Sequence, residues 1–167
     1  MMQTDVKSGH LNTSGFVLLG RTRLKAVSTV GTATAGTLDI FDTATAPVSA
    51  TYERAGTLIT VTKNDHGLVT GDVRGFTFAT ASGSSGTNSN YVVTRLGANT
   101  FTVTDINSGT IAGGTVALYA SRWLASYDIG ATDVFGNFAL IPGEGVLAQF
   151  GIYLNMTNLT SANVYYG

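Results

Sequence analysis

The chain has 167 residues and a mass of 17.3 kDa, enough for one ordinary domain or two small ones. Only 11% of it is charged, with 9 Lys+Arg against 10 Asp+Glu, where about 25% is usual, so it offers no electrostatic footprint for nucleic acid or for an anionic membrane surface. With no cysteine, disulfides, zinc–thiolate centres and cysteine nucleophiles are excluded, and two histidines leave little for imidazole chemistry.

The opening Met1-Met2-Gln3-Thr4-Asp5-Val6-Lys7 lacks the basic-then-apolar order of a secretory signal. Met1–Ser14 as a whole is polar and Gly-broken, and is expected to be an arm ordered by a neighbouring chain. Beyond it, Val, Ile, Thr, Tyr and Phe recur with period two, which predicts strands over Gly15–Leu19, Leu24–Val30, Thr37–Phe41, Val48–Arg54 and Thr57–Lys63. Asn64-Asp65-His66-Gly67 and Thr70-Gly71-Asp72 then supply turn residues that tolerate positive φ, ahead of a strand over Val73–Ala79. The Ser/Gly/Asn stretch Ala81–Asn90 has nothing to pack and is expected to be an exposed, mobile loop. Strands over Tyr91–Leu96 and Thr100–Asp105 follow, joined by a short hairpin connection, and then Thr115–Tyr119, Arg122–Tyr127 and Phe135–Ile141. Pro142-Gly143-Glu144-Gly145 is a tight link into Val146–Leu154, and Ala162–Tyr166 closes the series. No window carries an unbroken helical stripe, and no apolar run approaches the roughly 20 residues that span a bilayer.

The fold expected is all-β: a β-sandwich or jelly-roll-like framework carrying an inserted small β-barrel-like module. Polar turn clusters concentrate in the middle, while Trp123 and the longest apolar strands lie in the flanks, so residues 1–54 and 121–167 are assigned to the framework and 55–120 to the insert. Trp123 and Phe150 are expected to fill the framework core. The C-terminal Asn163-Val164-Tyr165-Tyr166-Gly167 has no Lys or Pro to guard an edge, so another chain is expected to pair with it or cover it.

Residues with catalytic potential do not assemble into a set. Asp65-His66 sits in a turn, where the imidazole is expected to close the turn through backbone bonds, and His10 has no nucleophile motif beside it. Asp39 with Asp42, and Asp128 with Asp133, lack the dense spacing of a calcium loop. No enzyme activity, cofactor or metal is therefore expected. The candidates that remain are contact residues. Arg21, Arg23 and Lys25 alternate along one strand face and would suit an acidic partner, or are simply solvated. Tyr153, Tyr165 and Tyr166 are candidates for an interface, with one ring of the Tyr165-Tyr166 pair facing in and the other out.

Two stretches resemble known families. Thr60–Val73, with Tyr91-Val92-Val93 and Asn99–Thr104, is similar to a small β-module recurrent in phage virion proteins and to the half-domain before the catalytic cysteine region of ubiquitin-activating enzymes. The flanks resemble small structural proteins of tailed phages, through Asp5–Asn12, Gly20–Lys25, Ile141–Val146, Gly151–Tyr153 and Val164–Gly167. The resemblance implies a structural protein of the virion, assembled in the bacterial host cytoplasm, that binds and stabilises the capsid as a decoration or cement protein. Its partners would be the major capsid protein or other virion proteins, and its own copies in a homo-oligomer, first of all a trimer. A tail-associated appendage, or a receptor- or glycan-binding module, is the alternative.

Overall fold

The computed structural model describes residues 5–79, 83–118, 122–133 and 136–167. They form fourteen β-strands and no helix. In chain order these are β1 (Lys7–Leu11), β2 (Gly15–Leu19), β3 (Thr22–Gly31), β4 (Gly36–Asp42), β5 (Val48–Thr62), β6 (Val73–Ala79) and β7 (Ser89–Val92). They continue with β8 (Thr94–Arg95), β9 (Thr100–Leu118), β10 (Arg122–Ile129), β11 (Asn137–Leu140), β12 (Val146–Ala148), β13 (Gly151–Thr157) and β14 (Leu159–Tyr166). The chain divides into two compact units, Met1–Ala44 with Trp123–Gly167, and Thr45–Arg122. The expected start of the insert at residue 55 falls inside β5, a single strand, and the expected seam at 120/121 lies outside the described residues, as do Tyr119 and Phe135 at the ends of two expected strands.

The discontinuous unit is a sandwich of two antiparallel sheets. One runs β1-β14-β3-β11, with β12 following β11 along the same edge of β3, and the other runs β10-β4-β13-β2. With β11 and β12 taken as one broken strand, the pairs nest: first with last (β1 with β14), second with next-to-last (β2 with β13), then β3 with β11/β12, and β4 with β10. A long antiparallel ribbon wound in this way is a jelly roll. Its core draws Leu24 and Val27 from β3, Leu38 and Ile40 from β4, Ile152 and Leu154 from β13, and Ala162 and Val164 from β14, so both sheets bury the same alternation of apolar residues.

The ends of this unit depart from expectation. Lys7–Leu11 is not an arm awaiting another chain but a strand of its own sheet, with Lys7 opposite Tyr166 and Leu11 opposite Ala162. Leu11 packs on the core while Ser8 and His10 alternate with it, a strand pattern hidden by the glycine between them. As a result β14 is paired on both sides by its own chain, with β1 and with β3, and is not an open edge. Phe150 is also misplaced by expectation, being 55% exposed in the turn between β12 and β13. That turn is held instead by buried Asp42, whose carboxylate accepts from the N–H groups of Gln149 (2.9 Å) and Phe150 (2.8 Å).

The continuous unit is built on β5 and β9, which pair along almost their whole length. The sequence predicts two shorter strands in place of each, one on either side of a break, but the ladder runs through both breaks with bulges. Between Gly56/Gly109 and Leu58/Thr104 the register shifts, with residues 105–108 of β9 set against Thr57 alone. Gly56 takes φ +65°, which lets β5 bend there without ending. The C-terminal part of β9 pairs with β6, β6 with β7, and β8 returns to the N-terminal part of β9, so the sheet curls back on its longest strand. Ile59, Val61, Phe76, Val93 and Phe101 are fully buried inside the curl.

Candidate functional site

The six candidate contact residues fall in four places. Arg21 lies in the turn before β3 and shares an open cleft with Tyr166, lined also by Asp5, Lys7 and Leu18. Arg23 and Lys25 turn their heads to the link between β11 and β12. Nη1 of Arg23 donates to the Gly145 carbonyl (3.4 Å), and Nζ of Lys25 donates to the Glu144 carbonyl (2.8 Å). These two cations therefore brace a turn, and the three do not form one basic stripe.

The tyrosines separate as strand alternation requires. Tyr166 packs on the sandwich core, and Tyr165 faces outward, where its ring meets Phe138 edge-on at 5.9 Å. On this outer face Tyr165, Ala26 and Leu140 lie in register across β14, β3 and β11. Phe138 is 62% and Leu140 69% exposed, so this is an apolar patch open to solvent. One row along, His10 Nδ1 and Asn163 Oδ1 are 2.9 Å apart and Asn163 Nδ2 donates to Ser28 Oγ (3.2 Å), giving the patch a polar border. This trio is not a nucleophile–base pair, because the Ser28 hydroxyl is bonded by an amide N–H and not by the imidazole.

Tyr153 belongs to the outer face of the other sheet. Phe16 meets it edge-on at 5.0 Å, Phe41 is its register partner on β4, and Trp123 stacks on Phe41 at 5.7 Å and 19°. Four aromatic rings thus cross β2, β13, β4 and β10 in a row. Trp123 is half-buried here, not in the core, and Leu124 beside it packs on the core instead. Burial pushes the Tyr153 hydroxyl up from its ordinary value. Next to the row, buried Asp39 accepts from Ser126 Oγ (2.7 Å) and its carboxyl is raised, mainly by burial.

In the continuous unit the residues of the Asn64–Arg74 turn stretch hold the fold. His66 Nδ1 accepts from the Leu68 N–H (3.0 Å) and Nε2 lies 3.0 Å from the Gly97 carbonyl, so the ring is the Nε2–H tautomer that closes the turn through backbone. Asp65, at φ +47°, donates its N–H to Asn99 Oδ1 (3.0 Å), which ties this turn to the one before β9. Gly71 N donates to Val93 O, and Asp72 pairs with Arg74 at 3.2 Å.

The feature that sequence reasoning missed is Arg54 with Asp105, an ion pair at 3.1 Å whose side chains are 1% and 0% exposed. Nε of Arg54 donates to Gly56 O, Nη1 to Ser84 O and Ser85 O, and Nη2 to Asn107 O as well as to the carboxylate. All five guanidinium N–H groups are used. Asp105 also accepts from the Thr87 N–H (2.8 Å), so the described part of the Ser/Gly loop, exposed at residues 83–85, is tied to the buried pair by hydrogen bonds. Gly86 makes this close fit possible: a Cβ there would lie 2.7 Å from the Phe78 ring and 2.8 Å from Ile59. No local signal marks a pair formed from residues so far apart in the chain.

Comparison with protein-family models and with curated proteins finds no match.

Proposed function

We propose that this is a structural protein of a tailed-phage virion that binds the assembled capsid and stabilises it as a decoration protein. The single observation that carries a binding role is the outer face of the first sheet, where Phe138 and Leu140 stand exposed beside Tyr165 within a polar border. A contiguous apolar patch of this kind on a charge-poor chain suits burial against another protein. The virion assignment rests on the resemblance of the two sequence stretches and agrees with the jelly roll, a fold used by viral capsid domains among others; the fold by itself is analogy. A ligand of the assembled lattice that free capsid subunits do not bind shifts the equilibrium toward the lattice, which is how such a protein stabilises a shell.

Quantitative mass spectrometry of purified particles tests the reading. Copy number on the scale of the major capsid protein supports decoration, copy number on the scale of a tail component supports the appendage, and absence from the particle overturns both. Phe138→Ser with Leu140→Ser is expected to abolish binding to capsids while the isolated protein stays folded.

A further inference from the structure

β10 and β11 are the outermost strands of their sheets, and a cavity of about 380 Å3 opens beside them. At ~30 Å3 per molecule of liquid water it has room for about a dozen waters, the size of a small-molecule site and far more than a bare ion fills. Val27, Tyr127 and Ile129 give it apolar walls, and Asp128 and Asp133 give it charge. The lining described contains no Lys, Arg or His.

Three polar groups in it have bonding capacity to spare. Asp128 has no hydrogen bond or ion pair among the described residues. Asp133 uses Oδ2 to accept from the Gly130 N–H (3.2 Å). Thr29 is only 3% exposed, and its Oγ1 has no hydrogen-bond partner among the described residues. A buried hydroxyl left unbonded costs stability unless a ligand completes it. Asp39 adds to the imbalance: bonded to Ser126 in the lining, it feels the charge of Asp128.

We propose that this cavity binds an alkylammonium group, its methylene stem against Val27 and Tyr127 and its three N–H donors shared among Asp128, Asp133 and Thr29 Oγ1. The charge excess calls for a cation, the apolar walls call for a stem, and three acceptors match an ammonium head. A metal ion would leave the apolar walls unused. Two sources carry this chemistry, a free aliphatic polyamine and a lysine side chain of a partner protein.

Titration of the full chain at low salt, followed by NMR shifts of the Tyr127 ring and the Val27 methyls, tests the assignment with three probes: cadaverine, Nα-acetyl-lysine N-methylamide and the uncharged 1-pentanol. At least one amine is expected to saturate the site. Saturation by cadaverine alone identifies a free polyamine, and saturation by the lysine derivative identifies a protein side chain. Asp128→Asn and Asp133→Asn, both at exposed positions, are each expected to weaken binding about tenfold, and Thr29→Val severalfold. Binding of 1-pentanol as tight as that of the amines overturns the proposal. So does affinity unchanged in all three variants, or no saturation by either amine at about 10 mM, too weak for a specific site.

Discussion

Arg54 and Asp105 show how one buried pair organises three segments, since the guanidinium holds the β5 bulge, the β9 bulge and the Ser84–Ser85 loop together. Removing one partner strands the other charge in the interior, so Asp105→Ala is expected to cost about 3–5 kcal/mol in chemical denaturation. A cost below about 1 kcal/mol would show that water replaces the lost carboxylate without difficulty. Two of the buried carboxylates, Asp105 and Asp39, respond to pH in opposite senses. Burial alone would raise Asp105, but hydrogen bonds from Thr87 and Asn107 and the charge of Arg54 outweigh it and hold the carboxyl below its ordinary 3.8. Its stabilising contribution is complete above 3.8 and is lost as pH falls through the depressed folded value. Asp39 is raised above 3.8, so its contribution is favourable below that value and is lost as pH rises through the folded one. Asp39→Asn is therefore expected to raise the unfolding midpoint at neutral pH and to leave it unchanged well below 3.8, and a lower midpoint at neutral pH would contradict this. None of these roles was legible in the sequence. Arg54 stands in an ordinary alternating strand pattern, and its acid lies beyond three intervening strands.

At the scale of elements, period-two alternation predicted strand type correctly, and the failures lie at bulges and glycines. Val48–Arg54 and Thr57–Lys63 read as two strands because Ala55-Gly56 interrupts the alternation, yet a bulge keeps them one. Lys7–Leu11 reads as polar coil because Gly9 occupies an inward position, and only the pairing with β14 reveals a strand. Phe138 and Leu140, two apart around Ala139, carry the signal of an apolar face, but sequence alone does not say that this face is the outer one. Alternation sorts the two C-terminal tyrosines, whereas the turn contacts of Arg23 and Lys25 are not legible, because a backbone carbonyl as partner leaves no trace in composition. Because β1 covers the edge of β14, deleting residues 1–11 should expose that edge to other chains. Concentration-dependent association of the truncated protein in light scattering is expected, and a truncated protein no more associated than the full chain would show that β14 needs no cover.

For the whole molecule, the two hydrophobic cores share no residue, and the continuous unit leaves and re-enters the sandwich on β4 and β10, which are neighbours in one sheet. Replacing residues 45–121 by a short Gly/Ser link is expected to leave a folded all-β sandwich, since each doubling of loop length costs only about 0.6 kcal/mol. Circular dichroism and size-exclusion chromatography check this, and an aggregated product would mean that the sandwich depends on its insert. The nesting of first strand with last has a further consequence, for the order of events during synthesis. β1 emerges from the ribosome well before β14 and can find its partner only when β14, ending at Tyr166, has followed it, so the first sheet stays incomplete until that strand is out. At about 5–20 residues per second, the unpaired strands of the sandwich wait several seconds or more for their partners. Thr45–Arg122, whose core contacts all lie within one stretch of chain, needs no such wait and can close while the sandwich is still open. Pulse proteolysis of nascent chains arrested at successive lengths should therefore find the insert protected first and the flanks only once β14 has emerged.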